Sequence, residues 1–387
     1  MISKKVVALC TTVGVAMSGF ALAVPAHADP VAESYSVVGS DTLEDVVGAL
    51  IQGTSISGSP VRSLVNNAAS GSFDASGTPY IIAKPSGKRF GRPNGSGDGK
   101  KALLASIANT AFTASVQLYP SNLPAGGTAA MAAAPAAFIP GEVDIARSSS
   151  GSTTAAGGVL TQIPFGRDAL GYVYDSGSTF VGISSLTAAQ LKSIFEGGLV
   201  TDVNGVTLKG ATPQTGSGTG KDWPTMIGST VLAVKTAADA GTNGNYYSQE
   251  HDATALGINT IEPMSASRWI AMSTGGSYAK KKTTTVMGSI AGISPLIDTA
   301  GVLTPNADFY NATVDGKTFG RDTYILVETA RITPGNAKYD VNLADLVDPL
   351  QSTSLTNTST SSVAKAGSVK KKFGFLPALS TTSTTVN

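Results

Sequence analysis

The chain has 387 residues, 42% of them hydrophobic, enough for two bodies of ordinary size and too many for disorder to be the default. Its 27 basic and 26 acidic side chains nearly cancel, and charged residues are only 14% of the total, which argues against a broad basic face for nucleic acid. One cysteine and two histidines leave little material for disulfide, zinc or imidazole chemistry.

Residues 1–28 read as a secretory signal peptide. Lys4 and Lys5 form the positive start, an apolar run follows from Val6 to Val24, and Ala26-His27-Ala28 supplies an A-x-A cleavage site. The mature chain is expected to begin near Asp29. Most of the apolar run lies after Cys10, so lipidation there is not expected, and loss of Cys10 leaves the exported chain without a disulfide. His27 leaves with the leader, making His251 the sole imidazole of the mature protein. No second apolar stretch of about 18 residues follows, so no membrane span is expected after processing.

In chain order, Tyr35 to Val38 is a short β-prone run leading into Gly39-Ser40-Asp41-Thr42. A helix is predicted over residues 43–51, with Leu43, Val46, Val47, Leu50 and Ile51 on one face and a cap from Ser40, Asp41 or Thr42. A second unit repeats the plan: a strand over 80–83, a basic glycine-rich loop over 89–100 with the tip Gly95-Ser96-Gly97, and a helix over 101–113. Residues 124–140, rich in alanine, proline and glycine, read as an outer loop. Val143 to Ala146 is a strand running into Arg147-Ser148-Ser149, where one guanidinium beside hydroxyls suits an oxyanion.

Residues 158–174 alternate as a buried strand pair turning near Phe165-Gly166-Arg167-Asp168. Leu186-Thr187 opens a capped amphipathic helix with Gln190, Leu191, Ile194 and Phe195, and Gly197 stops it. Residues 215–223, TGSGTGKDW, interleave three glycines with Ser217 and Thr219, and a helix is read over 223–238. Such a loop can turn backbone N–H groups and hydroxyls toward one small anion at a helix N-terminus. Further helices are read over 261–272 and 343–350, and a strand over 324–328. The Ser/Thr-rich segments 352–362 and 380–387 read as mobile, and the lysine runs 280–282 and 370–372 as solvated surface.

Alternating strands and helices imply an α/β protein with mainly parallel sheets, whose ligand loops lie at the carboxyl ends of strands. Catalysis has little to build on. A Ser-His-Asp arrangement would need His251, and no G-x-S-x-G elbow is present. Gly220-Lys221-Asp222 breaks the phosphate-loop pattern, and the S-x-x-K matches at Ser277–Lys280 and Ser368–Lys371 lack their partner motifs. No metal or cofactor is expected, although a carboxylate-only site for a hard cation stays open.

Five segments together resemble the phosphate-binding proteins that serve ABC importers, within the type II periplasmic-binding fold. They are Gly39-Ser40-Asp41-Thr42, Gly95-Ser96-Gly97, residues 143–149, the Leu186 to Gly197 helix motif, and Gly216-Ser217-Gly218-Thr219. The resemblance implies a two-lobed α/β fold with a hinge. Lobe 1 would take residues 31–179 plus 321–377, lobe 2 residues 180–320, and 378–387 would be a flexible tail. It also implies a binding protein rather than an enzyme, a monomer that captures inorganic phosphate or a related oxyanion and works with ABC importer membrane subunits. The implied ligand set is Ser40, Asp41, Thr42, Gly95, Ser96, Gly97, Arg147, Ser148, Ser149, Ser217, Gly218 and Thr219. Where phosphate-specific relatives carry an arginine and an aspartate before the S-G-T, this chain has Pro213 and Thr215, and Ser149 stands in place of another aspartate. Arg147 is then the candidate replacement guanidinium, and Asp41 or Asp98 the candidate acceptor. The alternatives are an exported phosphate-ester hydrolase on the same fold and an extracellular structural or adhesion protein.

Overall fold

The computed structural model describes residues 29–30, 32–63, 70–115, 134–214, 216–230, 246–250, 252–254, 256–273 and 281–387. The signal peptide, most of the 124–140 loop, Thr215, His251 and the 277–280 motif lie outside the described residues.

An eleven-stranded sheet organises the molecule. Its first part is parallel: β1 (Ser36–Gly39) lies between β2 (Gly71–Ser72) and β3 (Ile145–Ser148). Its far part holds β5 (Thr207–Pro213), which pairs parallel with both β6 (Tyr246–Ser248) and β7 (Thr260–Ser265). Between them run two long antiparallel strands, β4 (Leu160–Asp175) and β8 (Gly320–Glu328). Nearly every residue of β4 is buried, its polar side chains Gln162, Arg167 and Asp168 included.

Two hydrophobic bodies flank this central pair. Ile163, Phe165, Ile325 and Val327 belong to a core with Val37, Leu50 and Leu346, whereas Ala169, Leu170 and Tyr172 belong to one with Leu191, Trp223 and Phe309. The long strand therefore crosses from one core to the other, and it does so at a bulge between Pro164 and Gly166. A strand pair around Phe165-Gly166-Arg167-Asp168 is the expectation for residues 158–174; the segment is instead one continuous strand with an irregularity at Pro164/Gly166.

Helices follow strands as the alternation implies: α1 (Glu44–Gln52) after β1, α2 (Ser96–Ala108), α3 (Ala188–Phe195), α4 (Gly218–Met226) after β5, and α5 (Ala266–Ser273) after β7. The capping box at α3 is as read, with Thr187 Oγ1 accepting the Gln190 N–H and Gln190 accepting the Thr187 N–H, and Gly197 at φ 86° follows the helix. Elsewhere the boundaries move. α2 and α4 each begin about a turn earlier than read, inside their glycine loops, and α4 ends at Met226. The 261–272 segment is half strand, because Thr260 to Ser265 extends β7 before α5 starts.

The Ser/Thr-rich segments are ordered parts of the fold. Leu355 is fully buried, and β9 (Thr384–Val386) pairs antiparallel with Leu160 to Gln162, burying Val386 completely. This corrects the expected flexible tail over 378–387. Lys370 is likewise no surface residue: its Nζ donates to the Phe165 carbonyl at 2.7 Å, fully buried.

Candidate functional site

The glycine loops that open α2 and α4 meet face to face. The Gly97 N–H donates to the Gly216 carbonyl at 3.0 Å, and Gln214 Nε2 to Asn94 Oδ1 at 2.7 Å. Gly95 has φ +97°, and a Cβ there would lie 2.6 Å from the Gly216 carbonyl oxygen, so only glycine fits. Ser96 Oγ takes the Ser149 N–H at 3.0 Å and contacts Ser149 Oγ at 3.1 Å, and a Cβ on Gly218 would overlap both hydroxyls. Six of the expected residues, Gly95, Ser96, Gly97, Ser149, Ser217 and Gly218, thus form one junction.

Beside this junction opens a cavity of about 450 Å³. Ser96, Gly97, Ser148, Ser150, Ser217 and Gly218 are on its wall, with two ammonium side chains, Lys100 and Lys221. Among the described residues, none that lines it is acidic. Lys100 donates to Ser152 Oγ at 3.2 Å and Lys221 to the Gly151 carbonyl at 2.7 Å, both neutral acceptors. Burial, and then the nearby Lys221 charge, push the Lys100 pKa below the usual lysine value. The two lysines and the N-termini of α2 and α4 bring positive charge to this wall, while the hydroxyl of Ser150, another lining residue, donates to the Asp222 carboxylate at 2.8 Å.

The remaining expected residues, apart from Ser148 on the cavity wall, lie deeper. Arg147 is fully buried and holds the first loop together: Nε donates to the Ser40 carbonyl at 3.0 Å, Nη1 to Ser72 Oγ at 2.6 Å, and Nη2 to the Gly39 and Phe73 carbonyls at 3.2 and 2.6 Å. These contacts, three to carbonyls and one to a hydroxyl, take four of the five guanidinium N–H groups and direct them into the first loop, and Arg147 is not among the described residues that line the cavity. Asp98, the other candidate acceptor, is held by Ser115. Ser40 Oγ is buried with no hydrogen-bond partner among the described residues.

Asp41 and Thr42 join a buried charge cluster. Arg321, on β8, donates to Asp168 Oδ2 at 3.1 Å, Asp222 Oδ2 at 3.2 Å, Thr42 Oγ1 at 3.2 Å and Thr219 Oγ1 at 3.1 Å. Glu250 Oε2 accepts the Thr219 N–H at 2.9 Å and the Ser217 hydroxyl, so a carboxyl of the chain itself sits on the first turn of α4. Burial, then the charge and hydrogen bond of Asp41, push the Glu250 pKa well above the usual carboxyl range. Asp41 is raised as well, by its burial first.

Four residues of this region escaped the sequence reading. Lys100 and Lys221 were within reach: each lies four positions after a loop serine, Ser96 or Ser217, which puts ammonium and hydroxyl on one helix face. Glu250 and Arg321 carry no local signal. Among the described residues, no group of three or more His, Cys, Asp or Glu is arranged to hold a metal ion.

No protein-family model and no curated protein matches the chain. Similar solved structures include a human phosphate binding apolipoprotein (12% identity, 89% of this chain and 91% of that one, TM-score 0.49). PstS from Borrelia burgdorferi is also similar (13% identity, 89% and 98%, TM-score 0.39). A third is an ABC-type phosphate transport receptor from Vibrio cholerae (15% identity, 62% and 81%, TM-score 0.38).

Proposed function

We propose that this chain is an exported, non-enzymatic solute-binding protein that captures inorganic phosphate or a related oxyanion between two lobes for an ABC importer. The observation that carries the reading is the cavity where the N-termini of α2 and α4 meet, walled by serine hydroxyls and two lysines, with no acidic side chain among the described residues that line it. Backbone dipoles and hydroxyls fixed in this way bind an anion with little reorganisation. Residues 31–179 with 321–377 would form one lobe and 180–320 the other, with β4 and β8 as the shared hinge.

Calorimetry on the mature chain with phosphate, sulfate and a phosphonate tests the proposal. Saturable binding of phosphate is the expected result. Absence of binding for all three, together with binding of a sugar or peptide, would overturn it.

A further inference from the structure

The ligand of the cavity follows from which donors are still on offer. At the first turn of α4, the Thr219 N–H and the Ser217 hydroxyl are directed to Glu250 Oε2, and the Thr219 hydroxyl receives Arg321. Arg321 is itself shared between Asp168 and Asp222. An anion seated there would have to displace a buried carboxyl of the chain, and it would meet the charge of the Asp41 and Glu250 pair. Lys100 and Lys221 take no part in these contacts and lie on the wall of the cavity.

That cavity is larger than one tetrahedral oxyanion needs. Its volume of about 450 Å³ is within the range, on the order of 300–1,000 Å³, typical of sites for whole small molecules. It also carries more positive charge than one phosphoryl group requires. Lys100 and Lys221 line the same cavity and donate to neighbouring residues, Ser152 and Gly151, and neither forms a salt bridge among the described residues. Two like charges on the wall of one pocket, in addition to two helix N-termini beside it, suit an anion with two charged groups.

Resting on the oxyanion-binding reading above, we infer that the cavity is built for an anion carrying two phosphoryl-type groups in one molecule, of which inorganic diphosphate is the simplest. One group sits against Ser96 and Gly218 at the helix N-termini, and the second is clamped between Lys100 and Lys221. Inorganic phosphate satisfies only the first of these positions.

The test is calorimetry at fixed ionic strength with phosphate, methyl phosphate and diphosphate, on the mature chain and on Lys100→Ala, Lys221→Ala and Lys100→Arg. Diphosphate should bind at least tenfold more tightly than phosphate or methyl phosphate. Each alanine variant should remove most of that advantage by weakening diphosphate at least fivefold more than phosphate, and Lys100→Arg should keep it. Equal affinity for phosphate and diphosphate in the wild type overturns the inference and leaves the oxyanion reading standing. Alanine variants that weaken both anions equally overturn it as well, because the lysines then serve the first group. Failure of every anion to bind removes the oxyanion reading itself.

Discussion

Glu250 Oε2 accepts the Thr219 N–H at 2.9 Å and the Glu250 carboxyl hydrogen-bonds that of Asp41, so two buried carboxyl groups from distant parts of the chain meet at one site. Both have folded-state pKa values raised above their unfolded ones. Such groups favour the folded state while protonated, and this contribution is present below the unfolded carboxyl pKa and lost as pH rises through the folded pKa. Asp74, raised to about 7 by burial and by Glu44, acts in the same sense. Thermal melts should therefore show stability falling from mildly acidic pH toward pH 8. Glu250→Gln, which keeps a donor for Asp41 and an acceptor for Thr219, should flatten that fall; an unchanged slope would exclude the pair as its source.

Arg147→Ala separates a structural arginine from a ligand. Its guanidinium spans the carbonyls of Gly39, Ser40 and Phe73, and removing it leaves these buried acceptors unpaired next to a cavity. The expected cost is on the order of 3 kcal/mol in urea unfolding. Anion affinity, measured by calorimetry well below the melting temperature, should stay within about threefold of the wild type. A hundredfold loss of affinity in a fully folded variant would return Arg147 to the site.

How much of this was legible in the sequence depends on range. The Thr187 capping box, the glycine at 197 and the two glycine loops are local signals, each set by residues within a turn or two, and the structure has them where they were read. Arg147 is ambiguous in the sequence because an arginine beside three serines describes an oxyanion site equally well as a buried tether. The partners that decide between them, Gly39, Ser40 and Phe73, come from elsewhere in the chain. Gly166 misled through its neighbourhood, since a glycine serves a turn and a bulge alike and only the pairing with β8 separates them. Glu250 and Arg321 stayed invisible because their role exists only once β1, β8 and α4 converge.

Arg321 and Asp168 form a tie that the central strands depend on. Asp168 is fully buried, accepting from Arg321, from the Ser265 and Ser267 hydroxyls at 2.8 Å each, and from the Ser267 N–H at the start of α5. Arg321→Met should cost about 3–5 kcal/mol, because it strands this carboxylate without its cation. Adding Asp168→Asn should recover part of the loss, giving a positive coupling in a double-mutant cycle followed by urea unfolding. Strict additivity of the two changes would show that the ion pair carries no coupling of its own.

The C-terminal strand gives the sharpest contrast between a composition reading and a packed structure. Residues 380–387 have the Ser/Thr content of a mobile tail, but Val386 is fully buried in the core with Phe73, Phe90 and Leu160, and Thr384 to Val386 pair with β4 where it enters the first body. Burial of one valine side chain contributes roughly 1.5–3 kcal/mol, and the strand adds backbone hydrogen bonds to that. A chain ending at Leu379 should therefore melt several degrees lower, and Val386→Ser in the full chain should lose a large share of the same stability. Because β4 runs on from this strand through both cores, the truncation should also speed hydrogen exchange in Leu160 to Gln162. Exchange and melting equal to those of the full chain would mean that the segment contributes nothing, as a free tail would.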